Sequence, residues 1–129
     1  MHTYTEILTV SDTDIDELHH VNNVIYIQWV NTIAKAHWMK VATQNLLDNY
    51  FWVLVNHQIK YRHPAFVNDN VLLSTFVESS NGITSTRIVK IFNNDTQKLL
   101  AISQTTWCLM SFLTRKPTRI TPEIKSLFS

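Results

Sequence analysis

The chain has 129 residues, 45% of them hydrophobic, and a formal net charge of +1. These values predict a single globular domain over residues 1–129, with a substantial core and no long disordered segment. Lys and Arg are dispersed along the chain, so we expect no nucleic-acid surface. The only cysteine, Cys108, excludes an intrachain disulfide, and the only glycine, Gly82, excludes glycine-rich phosphate loops and a G-x-S-x-G nucleophile elbow.

The first ten residues, MHTYTEILTV, have neither the basic region nor the long apolar region of a signal peptide. No apolar run approaches the roughly 20 residues that a membrane helix needs. From this we expect a cytoplasmic protein that does not associate with membranes.

The first half of the chain predicts a strand, a polar loop and a long helix. The strand covers 3–10 and is rich in Thr, Tyr, Ile, Leu and Val, and the acidic loop covers 11–19. A helix then runs from Val24 to about Leu47 without Pro or Gly, and Asn22 or Asn23 is its expected cap. Because this helix is apolar around most of its circumference, we expect other structure to surround it.

The second half predicts an antiparallel sheet followed by a short helix. Strands are expected at 51–61, 71–78, 83–92 and 98–112, with the Asn81-Gly82 step forming a tight hairpin turn. A short helix opens at Thr121-Pro122. The predicted class is therefore α+β, with one long helix against one curved antiparallel sheet.

Two metal-binding hypotheses fail on spacing. The alternation of Asp12, Asp14 and Asp16 is similar to the start of a calcium loop, but the sixth and twelfth positions of that loop hold Glu17 and Asn23 instead of glycine and glutamate. The adjacent His19 and His20 lack the spacing of zinc ligands. We expect no metal.

Several other reactive side chains are more typical of a core than of a site. Cys108 lies in an apolar strand, where a buried and unreactive thiol is expected. His37 and His57 are predicted to be hydrogen-bonded packing residues. The four tryptophans either pack in the core or line an acyl pocket.

Asp16 stands just ahead of the long helix, where backbone N–H groups are exposed and the helix dipole is positive. One interpretation is that it simply complements the helix. The other is that the same N–H groups hold a polarised carbonyl oxygen, and the carboxylate then serves in attack on an acyl group. Spacing alone leaves both open.

The segment Asp16-Glu17-Leu18-His19-His20-Val21-Asn22-Asn23, followed by Tyr26 and Trp29, resembles the hotdog-fold thioesterases. The likeness is to the 4-hydroxybenzoyl-CoA thioesterase-like acyl-CoA thioesterases and to the plant acyl-ACP thioesterases. Their shared pattern is Asp, three residues, His-Val-Asn-Asn, two residues, Tyr, two residues, Trp, and every position matches. The later IKYRHPAFVNDNVLL, TTWCLM and RKPTRITPEI are also similar to the family.

The resemblance implies a hotdog fold, in which a curved antiparallel sheet wraps around one long helix, and hydrolysis of an acyl-CoA thioester. It implies a homodimer or homotetramer, no metal and no dissociable cofactor. By position, Asp16 is the general base or nucleophile and the Asn23 N–H polarises the carbonyl. The remaining residues that the resemblance implies are His20 and Asn22, which orient water or the loop, and the substrate-binding residues Tyr26, Trp29, Arg62 and His63.

Three positions depart from the family pattern. His19 stands where many relatives carry glycine, so we expect the loop to bend differently or to crowd the pocket. Leu18 and Pro64 occupy the places of the catalytic asparagine and glutamate of the plant acyl-ACP enzymes, which favours an acyl-CoA substrate. An acyl-ACP thioesterase, a non-catalytic acyl-thioester binding protein and a hotdog dehydratase remain alternatives. Arg115 and Lys116, like Arg62 and His63, are either contacts for CoA phosphates or solvated surface charges.

Overall fold

A computed structural model describes residues 1–129 and contains one sheet and three helices. In chain order the elements are β1 (Tyr4–Thr9), α1 (Asn23–Val41), α2 (Gln44–Asn49), β2 (Tyr50–Tyr61), β3 (Asn70–Asn81), β4 (Thr84–Asn93), β5 (Leu99–Ser111) and α3 (Pro122–Leu127). A single 3₁₀ turn, Asp12–Asp14, lies between β1 and α1. The α+β class and the long helix predicted from the sequence are confirmed.

All five strands pair antiparallel in the order β1-β3-β4-β5-β2. The two edges of the curved sheet are therefore β1 and β2. Along β3 every second residue from Val71 to Val77 is buried, because successive side chains of a strand point to opposite faces. One face of the sheet thus carries the core.

The core lies between this face and α1. The buried positions of α1 recur every three or four residues, which places them on one side of the helix. They are Tyr26, Trp29, Val30, Ile33, Ala34, His37 and Trp38. A second apolar cluster surrounds Trp38 and includes Leu109, Ile124 and Phe128, so that α3 closes the end of the core.

The predicted long helix is interrupted. It ends at Val41, since Ala42 has extended backbone angles (φ −76°, ψ 143°), and a separate helix starts after Thr43. The Thr43 hydroxyl accepts a hydrogen bond from the Leu46 N–H at 3.3 Å. The prediction of one helix to about Leu47 was wrong. It relied on the absence of Pro and Gly, whereas here a threonine cap is enough to begin a second helix.

The hairpin between β3 and β4 is displaced by one residue from the predicted Asn81-Gly82 turn. Asn81 and Thr84 pair, and the two central residues are Gly82 and Ile83. Gly82 has φ +65°, while Ile83 keeps a negative φ. Glycine at the first central position is typical of a type II′ turn, so the turn uses Gly82 for its backbone freedom.

The helix is less enclosed than its composition suggests. The side chains of Val24, Ile27 and Met39 on α1 are exposed, and so are those of Val53 and Val55 on the edge strand β2. Within one chain, the expected enclosure of α1 is therefore incomplete.

None of the helices combines the length and the apolar character needed to cross a membrane.

Candidate active site

The loop that precedes α1 is organised by the carboxylate and backbone of Asp16. Its Oδ1 accepts a hydrogen bond from the Leu18 N–H at 2.9 Å and another from the His20 N–H at 3.3 Å. The Asp16 N–H donates to the His20 carbonyl at 2.8 Å. Asp16 is half-buried. Because Oδ1 takes both loop N–H groups, Oδ2 has no acceptor role within the loop and is left for other chemistry.

His19 forms the bend of this loop. Its φ is +64°, in the left-handed region that glycine adopts most readily. The side chain is exposed and lines neither of the two main cavities. The expectation that His19 crowds the pocket is therefore wrong, whereas the expectation that the loop bends differently from that of its relatives stays a prediction.

Backbone contacts tie both ends of the loop to the rest of the fold. Ile15 and Val21 form an isolated antiparallel bridge, and the Asn22 N–H donates to the Asp14 carbonyl at 2.8 Å. The Val21 N–H donates to the Ala65 carbonyl at 3.0 Å. Buried Val21 joins the main core, so the loop has an apolar anchor as well. The position of Asp16 is thus fixed from both sides.

Helix α1 begins beside this loop. The Asn22 side chain caps the helix, with its Oδ1 accepting from the Val24 N–H at 3.0 Å. Asn22, of the two predicted candidates, is therefore the cap. The next residue, Asn23, has a backbone N–H that makes no hydrogen bond within the chain. An unpaired N–H at the positive end of a 19-residue helix is a donor for a carbonyl oxygen or an anion.

A cavity of about 330 Å³ lies between the loop, the start of α1 and the end of β2. Six of the predicted site residues line it: Asp16, His20, Asn23, Tyr26, Arg62 and His63. These residues come from two separate stretches of the chain, 16–26 and 62–63. The folded chain thus brings a carboxylate, a helix N-terminus and a basic rim to one place.

Tyr26 forms the inner wall of this cavity. Its hydroxyl accepts a hydrogen bond from the Ala65 N–H at 3.1 Å, and its ring meets that of Tyr61 edge to face at 5.3 Å. Burial raises the pKa of Tyr26, so its hydroxyl stays protonated at neutral pH. The phenol is consequently neutral.

Other predicted residues do not reach the cavity with their side chains. The amide of Asn22 is engaged in the helix cap, and Trp29 is buried in the core behind Tyr26. Arg115 and Lys116 lie in the exposed turn after β5 and line neither main cavity.

One lining residue, Tyr61, was not predicted from the sequence. Its position could have indicated a role in the site, because Tyr61 ends a predicted strand immediately before Arg62 and His63. The backbone N–H groups of those two residues both donate to the Leu100 carbonyl, at 2.8 and 3.1 Å, which holds the basic rim against β5. Their side chains are exposed and remain free to meet a ligand.

Comparison with known proteins gives a family match over nearly the whole chain. A family model described as the acyl-ACP thioesterase N-terminal domain matches residues 2–128. Comparison with curated protein sequences finds no match.

Solved structures of thioesterases share the architecture. The chain is similar to Slr0204, a 1,4-dihydroxy-2-naphthoyl-CoA thioesterase from Synechocystis, with a TM-score of 0.84 and 18% identity over 98% of this chain and 96% of that chain. It is similar to an acyl-ACP thioesterase from Bacteroides thetaiotaomicron, with a TM-score of 0.80 and 21% identity over 90% of this chain and 49% of that one. A third likeness is to the protein SAV2348 from Staphylococcus aureus, solved in complex with CoA, at 13% identity and a TM-score of 0.81 over 98% of this chain and 81% of that chain. At these identities the structures confirm the hotdog fold.

Proposed function

The chain belongs to the acyl-ACP thioesterase N-terminal domain family, a family of thioester hydrolases, and from this premise we propose that it hydrolyses acyl-CoA thioesters with Asp16 as the reactive carboxylate. The observation that carries the proposal is the cavity in which Asp16 and the unpaired N–H of Asn23 both lie. A carboxylate facing a helix N-terminus supplies both halves of acyl transfer: a group that promotes attack and a donor that stabilises the oxyanion.

In the reaction, the Asn23 N–H donates to the thioester carbonyl oxygen and polarises it. Acting as general base, Asp16 takes a proton from water as the water oxygen bonds to the carbonyl carbon. The C–S bond then breaks, and the leaving thiolate takes up a proton to give the free thiol and a carboxylic acid. In the alternative form, an Asp16 oxygen attacks the carbonyl directly and water hydrolyses the resulting anhydride.

The surrounding residues have supporting roles in this proposal. His20 and Asn22 hold the loop and the helix start in register, and Tyr26 shapes the inner wall with Trp29 packed behind it. Arg62 and His63, which are exposed at the rim, contact the phosphates of the carrier. No metal or dissociable cofactor takes part.

The nature of the carrier is the main alternative within this class. The family description favours acyl carrier protein. Leu18 and Pro64 favour CoA, since they occupy the positions of the catalytic asparagine and glutamate in the plant acyl-ACP enzymes. We therefore keep acyl-CoA as the leading substrate and acyl-ACP as the second. The cytoplasmic location predicted from the sequence stays a prediction.

We also propose that the active protein is a homodimer formed along β2, with a tetramer built from two such dimers as an extension. Strand β2 is a 12-residue sheet edge with unpaired backbone groups, and Val53 and Val55 on it are exposed. A long edge strand of this kind pairs readily with a second copy. Val24 and Ile27 of α1 are also exposed apolar side chains.

The experiment is a measurement of thiol release from short, medium, long and aromatic acyl-CoAs, with acyl-ACPs of matched chain length alongside. Faster turnover of acyl-CoA than of the matched acyl-ACP is the expected result. Faster turnover of acyl-ACP would shift the function to the second candidate. Tight acyl-CoA binding without thiol release at any chain length would make the protein a non-catalytic binding module, and formation of an enoyl product would make it a dehydratase.

A further inference from the structure

A second and larger cavity, of about 430 Å³, lies at the other end of α1. The C-terminal half of α1 forms one wall, and strands β2 to β5 form the other. Its lining is mainly aromatic, with Trp38, Trp52, Trp107 and Phe128 among the residues that face it. None of the predicted catalytic residues reaches it. It is therefore a separate binding space with an apolar interior.

Two charged side chains line this apolar space, and of these Lys35 is exposed whereas Arg87 of β4 is only 6% exposed. Its Nη1 donates to His37 Nδ1 and to Thr75 Oγ1, both at 2.9 Å. The other guanidinium nitrogens make no hydrogen bond within the chain. No carboxylate is among its partners. A buried guanidinium is normally paired, because burying an unpaired ion costs several kcal/mol.

The partners of Arg87 are held neutral. Arginine has donors only, so His37 Nδ1 must accept, and its proton therefore sits on Nε2, which lies 2.9 Å from His2 Nδ1. The Thr75 hydroxyl in turn donates to the Ile88 carbonyl at 2.9 Å. These bonds fix the orientation of the guanidinium. Its Cζ lies 5.5 Å from the centre of the Phe128 ring, and no anion balances its charge. Burial lowers the pKa of Arg87 to about 10, so Arg87 stays charged at neutral pH.

A second polar group in the cavity is also unpaired. The Asn31 Oδ1 of α1 is buried and has no hydrogen-bond partner. The oxygen and nitrogen of an amide exchange places by a half-turn of the side chain. In that orientation the Asn31 NH₂ occupies the buried position that Oδ1 now holds, so neither orientation pairs this group within the chain.

We propose that this cavity binds a carboxylate carried on an apolar body, with Arg87 as its counter-ion. The aromatic walls take the apolar body, and the free guanidinium nitrogens donate to the carboxylate oxygens, as the planar fork of arginine does. Binding turns an unpaired buried charge into a pair. A neutral apolar ligand of the same size would pack against the walls but leave the charge of Arg87 unpaired.

Two sources supply such a ligand. One is a free carboxylic acid, which is the product of thioester hydrolysis. The other is the distal carboxylate of a dicarboxylic acyl thioester, and this source rests on the proposed function. Both cavities border β2, with Tyr61 at the Asp16 cavity and Trp52 at this one.

The test is a titration of the intact protein with octanoate and with octanamide, followed by the fluorescence of the cavity tryptophans. Octanoate should bind, and octanamide should bind roughly 10- to 100-fold more weakly, as expected for loss of a charge-assisted hydrogen bond. Arg87→Met should weaken octanoate by a similar factor. Lys40→Met, which removes an exposed cation of α1 that does not line the cavity, should leave octanoate affinity unchanged.

Equal affinity for octanoate and octanamide, or no octanoate binding, would overturn the proposal. That comparison needs no variant, so it decides the matter even if Arg87→Met does not fold. Asp16→Asn should bind octanoate normally, which separates this proposal from failure of the proposed hydrolase. If Arg87→Met also slows hydrolysis of a dicarboxylic acyl-CoA but not of the equally long monocarboxylic acyl-CoA, the ligand is the distal carboxylate. If Arg87→Met changes only the inhibition of hydrolysis by the free carboxylic acid, the ligand is the product.

Discussion

The guanidinium of Arg87 donates to the imidazole of His37 at 2.9 Å, and both side chains are buried. This bond requires a neutral histidine. Burial is the main reason why the pKa of His37 falls to about 3, with the positive charge of Arg87 and the neighbouring His2 adding to it. The pair therefore links the stability of the fold to pH.

The pH dependence of unfolding follows from this pair. In the unfolded chain His37 takes up a proton near its ordinary pKa of 6.5, whereas in the folded chain it does so only near 3. Between these values the unfolded state binds more protons, so the free energy of unfolding falls as the pH decreases below 6.5. His37 contributes a slope approaching about 1.4 kcal/mol per pH unit near pH 5.

Urea unfolding of the wild type and of His37→Gln between pH 7 and pH 5 measures this contribution. Glutamine can still accept from Arg87, but it does not titrate. The variant should show a flatter pH dependence, whatever its stability at pH 7. His57, whose pKa burial also lowers, acts with the same sign in both proteins and cancels in the difference. Parallel curves for the two proteins would contradict the assignment.

Replacing His19 with glycine should stabilise the fold. The residue has φ +64°, where a side chain costs about 1 kcal/mol and glycine costs little. After allowing for the greater freedom of glycine in the unfolded chain, a gain of roughly 0.5 kcal/mol is expected. Denaturant unfolding measures it, with Glu17→Gly as the control: Glu17 is exposed in the same loop and has a negative φ, so that change should destabilise. A loss of stability in His19→Gly equal to that in Glu17→Gly would show that the left-handed strain is absent.

A charge on β2 should dissociate the proposed dimer. Val55 is exposed and lies at a bulge of this edge strand, where lysine opposes pairing with a second strand. Sedimentation should give the mass of a monomer for Val55→Lys and of a dimer for the wild type. Ile7→Lys places the same charge at an exposed position of the opposite edge, β1, and should remain dimeric. Dissociation by Ile7→Lys alone would move the interface to β1.

Much of the fold could be predicted because its signals are local. The alternation in the strands, the Asn22 cap and the Thr121-Pro122 start of the last helix all depend on neighbouring residues. The break after Val41 was missed because Thr43 was the only sign of it. The turn at Gly82 was placed one residue early, since Asn81-Gly82 and Gly82-Ile83 are both acceptable pairs for a two-residue hairpin.

The Asp16 cavity could be predicted in part because one motif carries both the loop and the helix start. The basic residues at its rim could be predicted only from the resemblance to the thioesterases, since no local sequence pattern links Arg62 to Asp16. The Arg87 cavity was predicted only in its tryptophans, since three of the four named as lining an acyl pocket line it, and Arg87 itself was not predicted. Period-2 alternation does place Arg87 on the same face as Ser85, Val89 and Ile91, which are buried. A charged residue on that face was the available signal, but its partner, His37, is 50 residues away in sequence and is found only in the folded chain.

The most direct test of the proposed mechanism is acyl-CoA hydrolysis by Asp16→Asn. An asparagine oxygen can still accept from the Leu18 and His20 N–H groups, so the loop should keep its shape, and circular dichroism should match the wild type. Asp12→Asn, an exposed change in the same acidic segment, is the matched control. We predict that Asp16→Asn lowers thiol release by roughly 100- to 10,000-fold, as expected for loss of a general base, and that Asp12→Asn retains full activity. Release of thiol by folded Asp16→Asn at the wild-type rate would contradict the account.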